Sequence, residues 1–321
     1  MSSFISFDAH SCLPLSPSTS VQTLIRYKNQ GVRYVSINVG MDFNPMSQIM
    51  AVLASFRKQI EESSELMLID DWSSLEDAKE QNILGVGFDL EGAAPLLSTL
   101  DMVDLFSTLG VRQIHLAYNR NNIAAGGCHD SPQGLTNIGT QLIQRIQRSG
   151  IIVDMSHNSI RTSLDICSVT QKPVVFSHAN VRELVEHPRN ITNEQIRACA
   201  RTNGVICING VERFLGKATP QAFAQHCAYV ADLVGVEHVG MGLDTMLNQA
   251  GIEDIPKNLD TQYWWPKEFY PKGIGVLSYL QPEDIPKINS ELENIGFHQN
   301  ERYMIFWNNM ARVAKICWEK Q

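Results

Sequence analysis

Histidine and carboxylate side chains recur directly after apolar, strand-like segments of this 321-residue sequence. The set comprises His10, Glu91, His157, His178 and Asp244. Imidazole nitrogen and carboxylate oxygen are ligands that zinc and similar divalent ions prefer. A single histidine at a strand end is more often a hydrogen-bonded structural group, but the repetition after five segments predicts a shared metal centre.

A cysteine accompanies the first of these residues, because FDAHSC places Cys12 two residues after His10. Side chains two residues apart in a strand point to the same face, so both can reach one ion. A thiolate binds zinc well and favours it over magnesium or manganese. Two interpretations stay open: Cys12 is a metal ligand, or it is a buried thiol beside a centre in which Glu91, His157 and His178 hold a single metal.

The segments that must position these residues alternate between strand-like and helical patterns. Eight apolar, β-branched runs have strand length: FISFDAH, VRYVSINVG, ILGVGFDLEG, RQIHLAYN, IIVDMSH, KPVVFSHAN, GVICINGV and HVGMGLD. Helical spacing is found between them, as in SVQTLIRYKNQ, LTNIGTQLIQRIQRSG and TPQAFAQHCAYVADLVG, and Thr136 and Thr192 are predicted N-caps. About eight βα units predict a (β/α)8 TIM barrel, in which the C-terminal ends of all strands meet at one mouth.

The length and the 44% hydrophobic content fit one barrel domain over residues 1–321. Residues about 245–275 are irregular and predict a loop excursion, which closing C-terminal helices follow. The sequence has seven cysteines, which is an odd number, and several of them lie in apolar runs. Both observations favour reduced thiols over disulfides.

The charge and the hydropathy pattern exclude several classes of partner. A net charge of -8 and a sequence pI near 5.6, without a basic run, argue against a nucleic-acid partner. No stretch approaches the roughly 18 apolar residues of a membrane span, and MSSFISFDAH lacks the basic and apolar regions of a signal peptide. The sequence therefore predicts a cytoplasmic protein without a nucleic-acid or membrane partner.

Several motifs together resemble the membrane (renal) dipeptidase family of metallopeptidases, peptidase family M19, in its shorter bacterial branch. They are IVDMSHNS, PVVFSHANVRELVEHPRNIT and HVGMGLD, together with FDAH and FDLEGA. The resemblance extends from FDAH to NNMARV near the C-terminus. It implies a metal-dependent barrel that carries two zinc ions per chain and hydrolyses dipeptides, and a homodimer as one expected assembly.

The resemblance also implies roles for individual residues. His10 would bind the first metal, Glu91 would bridge both metals, and His157 with His178 would bind the second. Two cations that share Glu91 can lower the pKa of a bridging water toward neutrality, which gives a hydroxide that attacks the peptide carbonyl. Asp244 would stand beside that water as the catalytic base and pass its proton to the leaving amine.

Two substrate-binding residues are implied as well. Arg189 of HPRN would bind the substrate carboxylate, because the guanidinium fork donates two parallel hydrogen bonds to such a group. Tyr118 stands where the family commonly offers a histidine, and its hydroxyl can still donate to the substrate carbonyl.

The family's first motif is normally His-x-Asp, whereas this chain has Cys12 at the third position.

The leading hypothesis is a zinc-dependent dipeptidase-like hydrolase. One alternative is an amidohydrolase that acts on another small amide or lactam, since a fold does not determine a substrate. The other is a catalytically silent barrel that binds a small molecule.

Trp264 and Trp265 fit either a pocket or a subunit contact. The remaining histidines are predicted to be structural or solvent-facing: His115, His129, His187, His226, His238 and His298.

Overall fold

Nine parallel strands form one sheet in the part of the chain that the computed structural model describes, residues 4–247, 255–256, 258–271, 273 and 278–319. Their bounds are β1 Ser6–Ser11, β2 Val32–Met41, β3 Leu66–Leu68, β4 Leu84–Glu91, β5 Val111–His115, β6 Ile152–Asp154, β7 Val175–Phe176, β8 Val205–Ile208 and β9 Val239–Met241. All eight predicted strands are present, and β3 is an additional strand of three residues.

Eight of the strands follow chain order around a barrel, β1-β2-β4-β5-β6-β7-β8-β9, while β3 pairs with the beginning of β4. The last and first strands meet beyond the end of β9. There the amide of Asp244 donates to the carbonyl of His10 and the amide of Cys12 donates to that of Thr245, both at 3.0 Å. The predicted (β/α)8 barrel is confirmed.

Helices connect the strands and pack around them. The α-helices are α1 Ile25–Asn29, α2 Met46–Glu61, α3 Trp72–Glu80, α4 Met102–Thr108, α5 Asn137–Arg148, α6 Ile160–Val169, α7 Asn193–Arg201, α8 Glu212–Leu215, α9 Pro220–Val234, α10 Thr261–Trp264, α11 Ile285–Asn294, α12 Gln299–Tyr303 and α13 Asn309–Cys317. Short 3-10 helices lie at Val21–Leu24, Ala94–Leu96, Val236–His238 and Pro282–Asp284, and a π-helix at Met304–Asn308. The three predicted helical segments contain α1, α5 and α9.

Two helices begin at the predicted N-caps. The Thr136 hydroxyl accepts from the amide of Gly139 at 3.1 Å, at the start of α5. The Thr192 hydroxyl accepts from the amide of Gln195 at 3.3 Å, at the start of α7. Each hydroxyl satisfies an amide that has no partner within its own helix, which stabilises the helix start.

Alternate residues of β2 and β4 form polar layers inside the barrel. The Ser36 hydroxyl donates to the Asp89 carboxylate at 2.6 Å. One layer closer to the C-terminal mouth, the Asn38 amide donates to the Glu91 carboxylate. Because residues two apart in a strand face the same side, these pairs lie one above the other and lead toward the mouth.

The opposite end of the barrel is closed by aromatic rings. Phe7 and Tyr34, near the beginnings of β1 and β2, have ring centroids 4.3 Å apart, and Trp318, directly after α13, lies 5.3 Å from Tyr34. A Cβ atom at Gly87 would lie 2.0 Å from the Tyr34 hydroxyl, so only glycine leaves room for this ring. The apolar plug leaves the C-terminal mouth as the polar end of the barrel.

In the C-terminal part of the chain, α11 and α13 pack on the barrel. The predicted loop excursion at about 245–275 lies partly outside the described residues, and its described part contains α10. That the whole chain is one domain stays a prediction. Among the described helices, none has the length and apolar character needed to span a bilayer.

Asp8 joins the two sides of the barrel closure, and its removal tests that joint. Its Oδ1 accepts from the amides of His10 at 3.2 Å and Leu243 at 3.1 Å. Asp8→Ala removes this acceptor from both buried amides, so we predict a loss of about 2–4 kcal/mol in the free energy of unfolding. Asp8→Asn retains an acceptor oxygen and should lose clearly less. Urea titration of both variants measures this, and equal losses would contradict the assignment.

Candidate metal centre

The structure brings together the side chains that were predicted at five strand ends. His10 lies in β1 and Glu91 ends β4, while His157, His178 and Asp244 follow β6, β7 and β9 within three residues. The three histidines and Glu91 are buried, and the Asp244 side chain is 18% exposed. All five lie at the C-terminal mouth, where barrels carry their active sites.

Glu91 divides these side chains into two groups, one on each carboxylate oxygen. Its Oε2 lies 3.0 Å from Nε2 of His157, which in turn lies 3.0 Å from Nε2 of His178. Its Oε1 lies 3.3 Å from Nε2 of His10. A carboxylate with ligand groups on both oxygens has the arrangement that a bridging ligand needs.

Cys12 belongs to the group on the His10 side. Its Sγ lies 3.5 Å from Nε2 of His10 and 3.7 Å from Oδ1 of Asp244. The ligand atoms of His10, Cys12 and Glu91 all lie within 4.8 Å of one another, as do those of Glu91, His157 and His178. The structure therefore places Cys12 among the candidate ligands, although whether the sulfur binds metal stays a prediction.

Hydrogen bonds on the far side of two rings fix which nitrogen faces the centre. Nδ1 of His157 lies 2.7 Å from the amide oxygen of Asn119, and Nδ1 of His10 lies 3.3 Å from the Asp89 carboxylate. Both partners are acceptors, so each Nδ1 carries the proton. The neutral His157 ring then directs the Nε2 lone pair at Glu91.

The electrostatic environment keeps two of the histidines neutral. Burial, and then the positive charge of Arg189, lowers the pKa of His157 to about 3. Burial, and then His10, lowers the pKa of His178 well below its usual range. At neutral pH the His157 lone pair therefore faces the Glu91 carboxylate without a proton between them. Two acceptors 3.0 Å apart repel, and a cation between them removes the repulsion.

On the His10 side, neighbouring negative charges outweigh the effect of burial on the histidine pKa. Burial lowers the pKa of His10, but the carboxylates of Asp89 and Glu91 outweigh this effect and raise it well above its usual range. Burial raises the pKa of the Cys12 thiol. The sulfur is therefore a protonated thiol until a cation binds, because a bound cation favours the thiolate.

Three residues of the mouth have backbone angles that side chains other than glycine rarely adopt. The φ angles are 58° at Asn119, 69° at His157 and 54° at Asp244. Each residue follows its strand by three or four positions, so the chain turns sharply there. Such angles cost energy and persist only where surrounding contacts enforce them, which is common at functional sites.

The two predicted substrate-binding residues lie beside the His157 side of the centre. The ring centroid of Tyr118 is 4.4 Å from that of His157. Arg189 is buried, donates from Nη2 to the carbonyl of His178 at 3.1 Å and lies over the ring of Phe214. Among the described residues, the Arg189 Nε has no hydrogen-bond partner and its guanidinium pairs with no carboxylate. The guanidinium is thus free to bind an anion.

Four aromatic side chains form an aromatic wall at the mouth: Phe43, Tyr118, Trp264 and Trp265. Ring centroids lie 5.2 Å apart for Phe43 and Trp264, 5.5 Å for Phe43 and Trp265, and 6.0 Å for Tyr118 and Trp265. The two tryptophans thus pack within the chain next to the candidate ligands. Of the two settings that the sequence left open, the structure favours the pocket.

His115 is the principal residue whose position the sequence left open between structural and solvent-facing. It is fully buried beneath the centre, with ring centroids 5.9 Å from His10, 5.9 Å from His157 and 5.4 Å from His178. A solvent-facing position is therefore wrong, and a structural position is right. The signal available was its alternation with Gln113 in β5, since two polar residues on one face of a buried strand must point into the barrel.

An ion pair explains how His115 is tolerated there. Its Nε2 lies 2.9 Å from the Asp154 carboxylate and its Nδ1 lies 2.8 Å from the carbonyl of Leu90. Burial lowers the pKa of His115, but Asp154 outweighs this and raises it. Burial would raise the pKa of Asp154, but His115 and neighbouring hydrogen bonds lower it to about 2. The pair is a buried salt bridge under the centre.

Sequence reasoning also missed the residues that orient the candidate ligands. They are Asp89 for His10, Asn38 for Glu91, Asn119 for His157, Ser177 for His178 and Asn209 for Asp244. Partners of this kind fix ring orientation and raise ligand basicity in metal sites. Polar residues within otherwise apolar strands, such as Asn38 and Asp89, were the available signal.

Comparisons with known proteins find a family match over most of the chain. The family described as membrane dipeptidase (peptidase family M19) matches residues 44–261. Dipeptidase verJ of Clonostachys rogersoniana is 29% identical over 194 residues, which cover 58% of this chain and 49% of that protein. The chain thus spans about half the length of the curated relatives it matches.

Solved structures match over nearly the whole chain. An amidohydrolase from Pseudomonas aeruginosa has a TM-score of 0.84 at 21% identity, covering 98% of this chain and 96% of that one. A metallopeptidase from Rhodobacter sphaeroides, liganded with a phosphinate mimic of the dipeptide L-Ala-D-Ala, has a TM-score of 0.79 at 17% identity, covering 98% and 100%. At these identities the likeness concerns the fold.

Metal retention tests the centre directly. We predict that the purified protein holds a divalent metal and that His178→Ala loses nearly all metal from the Glu91–His157 side, because two ligands remain there. His238→Ala, a histidine away from the mouth, is the matched control and should keep the wild-type content. Elemental analysis measures the metal, and circular dichroism verifies the fold. A folded His178→Ala protein with wild-type metal content would contradict the assignment.

Proposed function

The chain belongs to the membrane dipeptidase family, peptidase family M19, and from this membership we propose that it is a zinc-dependent hydrolase of dipeptides or similarly small amides. The observation that carries the proposal is the division of Glu91 between two groups of candidate ligands. Nitrogen, oxygen and sulfur donors in one buried mouth suit zinc. In the proposal, His10 and Cys12 hold one ion, His157 and His178 hold a second, and Glu91 bridges them.

Bound zinc would supply two effects, a lower pKa for a water molecule and polarisation of the scissile carbonyl. The chain itself would move the protons. Asp244 is the proposed base, since its Oδ1 lies 3.7 Å from His10 Nε2 and its Oδ2 accepts from the Asn209 amide at 2.7 Å. Burial raises the pKa of Asp244 although His10 opposes the shift. A carboxylate of raised pKa accepts a proton more readily and can donate it to the leaving amine.

Two residues would hold the substrate. Tyr118 donates its hydroxyl hydrogen to the carbonyl oxygen as negative charge develops there. Arg189 binds the C-terminal carboxylate, which satisfies the guanidinium nitrogen that has no partner in the described chain. A short substrate follows from this pairing, because a longer peptide would present a neutral amide where the arginine needs a charge.

The arginine role has a kinetic test. We predict that Arg189→Met raises KM for dipeptides, because the substrate carboxylate is then buried without a partner. The rise corresponds to a loss of binding free energy on the order of 2–5 kcal/mol. Arg189→Lys keeps the charge without the fork and should lie between wild type and Arg189→Met. A dipeptide amide should be a poor substrate of the wild type. Equal kcat/KM for a dipeptide and its amide would exclude this role.

Cys12 decides whether the centre holds one metal or two. If the sulfur is a ligand, the wild type should purify with about two zinc ions, and Cys12→Ser should lose one of them and most activity, because a neutral hydroxyl replaces an anionic sulfur. Cys12→Asp should restore binding and extend tolerance to harder ions such as manganese.

Anomalous diffraction at the zinc edge provides the direct measurement, together with elemental analysis of the three proteins. The buried Cys207, which lies in β8, offers a control: Cys207→Ser should not change the zinc content. One zinc on His157 and His178, with the Cys12 sulfur beyond bonding distance, would replace the two-metal centre with a one-metal centre.

A further inference from the structure

Asn119 contacts two parts of the mouth that come from distant parts of the chain. Its amide oxygen accepts from Nδ1 of His157 at 2.7 Å. Its amide nitrogen donates to the carbonyl of Trp264 at 3.2 Å, 145 positions further along the chain. Its own carbonyl accepts from the amide of His129 at 2.8 Å. One side chain thus touches both a candidate metal ligand and the aromatic wall.

The contact with Trp264 fixes the orientation of the Asn119 amide. A backbone carbonyl only accepts, so the group facing Trp264 must be the nitrogen, and the oxygen must face His157. The oxygen only accepts in turn, so the neutral His157 ring is protonated on Nδ1 and directs its Nε2 lone pair at the Glu91 carboxylate. The contact with Trp264 thus identifies which end of the Asn119 amide faces His157, and with it the nitrogen of His157 that carries the proton.

The segment that carries Trp264 has a second tether nearby. Arg120, next in sequence to Asn119, donates from Nε to the carbonyl of Tyr263, and its guanidinium lies 4.5 Å from the centre of the Tyr263 ring. In the described contacts, Arg120 touches neither His157 nor His178. This tether holds the same segment without reaching the candidate ligands, which makes it a natural comparison.

We propose that Asn119 is a positioning residue with two separable roles: its amide oxygen supports metal retention through His157, and its amide nitrogen holds the aromatic wall in place. This inference rests on the proposed metal centre. The amide oxygen keeps His157 ready to bind, and the amide nitrogen holds α10 over the mouth. The positive φ of 58° belongs to this role, since it turns the side chain from the end of the strand segment toward both partners.

Two substitutions separate the two halves of the amide. Asn119→Asp keeps an acceptor for His157 but replaces the donor to Trp264 with an oxygen that repels the carbonyl. Asn119→Gly removes both contacts, and glycine and aspartate both accept the left-handed backbone. Arg120→Met removes the tether to Tyr263, together with contacts to the carbonyl of His129 and to Asp130, without removing a contact to His157 or His178. Asn119→Ser, whose hydroxyl is too short to bridge both partners, serves if the glycine variant does not fold.

The test measures zinc release to a coloured chelator from zinc-loaded protein, and iodide quenching of tryptophan fluorescence. Asn119→Gly should release zinc about 10–100-fold faster than wild type, as expected when an outer partner of a ligand is lost. Asn119→Asp and Arg120→Met should release zinc within about threefold of wild type. All three variants should show stronger quenching, because the wall is less tightly held.

The outcomes distinguish this inference from the proposed function. Equal rates of zinc release from Asn119→Gly and wild type overturn the role of Asn119 in metal retention. Unchanged fluorescence quenching of Asn119→Asp overturns its role in holding the aromatic wall. A wild type that takes up no zinc overturns both the inference and the proposed centre. A wild type that binds zinc and shows the expected pattern but hydrolyses no dipeptide supports the inference and refutes the proposed function alone.

Discussion

A buried carboxylate that faces the lone pair of the neutral His157 ring is the constraint on which the centre depends. Burial would raise the pKa of Glu91, but the charge and the hydrogen bond of His10 outweigh this and keep it well below its usual range, so the carboxylate stays charged. The His157 ring stays neutral and points its lone pair at that charge. Such an arrangement is unfavourable without a cation, and a rigid barrel mouth can maintain it because the strand ends cannot move apart.

The charge distribution inside the barrel also favours a cation at the mouth. Fully buried carboxyl groups at Asp8, Asp89 and Asp154 lie below Glu91, and the Asp154–His115 pair offsets one of them. The aromatic plug closes the far end, so the field of these groups is directed toward the mouth. A concave, water-poor mouth lined by acidic groups concentrates cations. The polar interior therefore favours cation binding at the mouth, while Asp8 also accepts from the amides that join the barrel closure.

Sequence patterns predicted the barrel and the candidate ligands because both depend on local periodicity and on the residue types at the end of each apolar run. They did not predict β3, whose three residues are too short a run to stand out. The sequence left His115 open between a structural and a solvent-facing position, because its alternation with Gln113 in β5 indicates an inward face only if the strand is recognised as buried. The double contact of Asn119 joins residues 145 positions apart, and no local pattern contains that information.

The cysteine gives the two halves of the centre different chemistry. On the His157 side the donors are imidazole nitrogen and carboxylate oxygen, which many divalent ions accept. On the His10 side Cys12 stands where the family pattern has a carboxylate, which makes that half softer and removes one acid from a mouth already crowded by Asp244 and Glu91. Fewer like charges reduce the repulsion among the ligands when no ion is bound. In the proposed centre, Cys12 would therefore change which ions fit the first half, and the bridge through Glu91 would not depend on it.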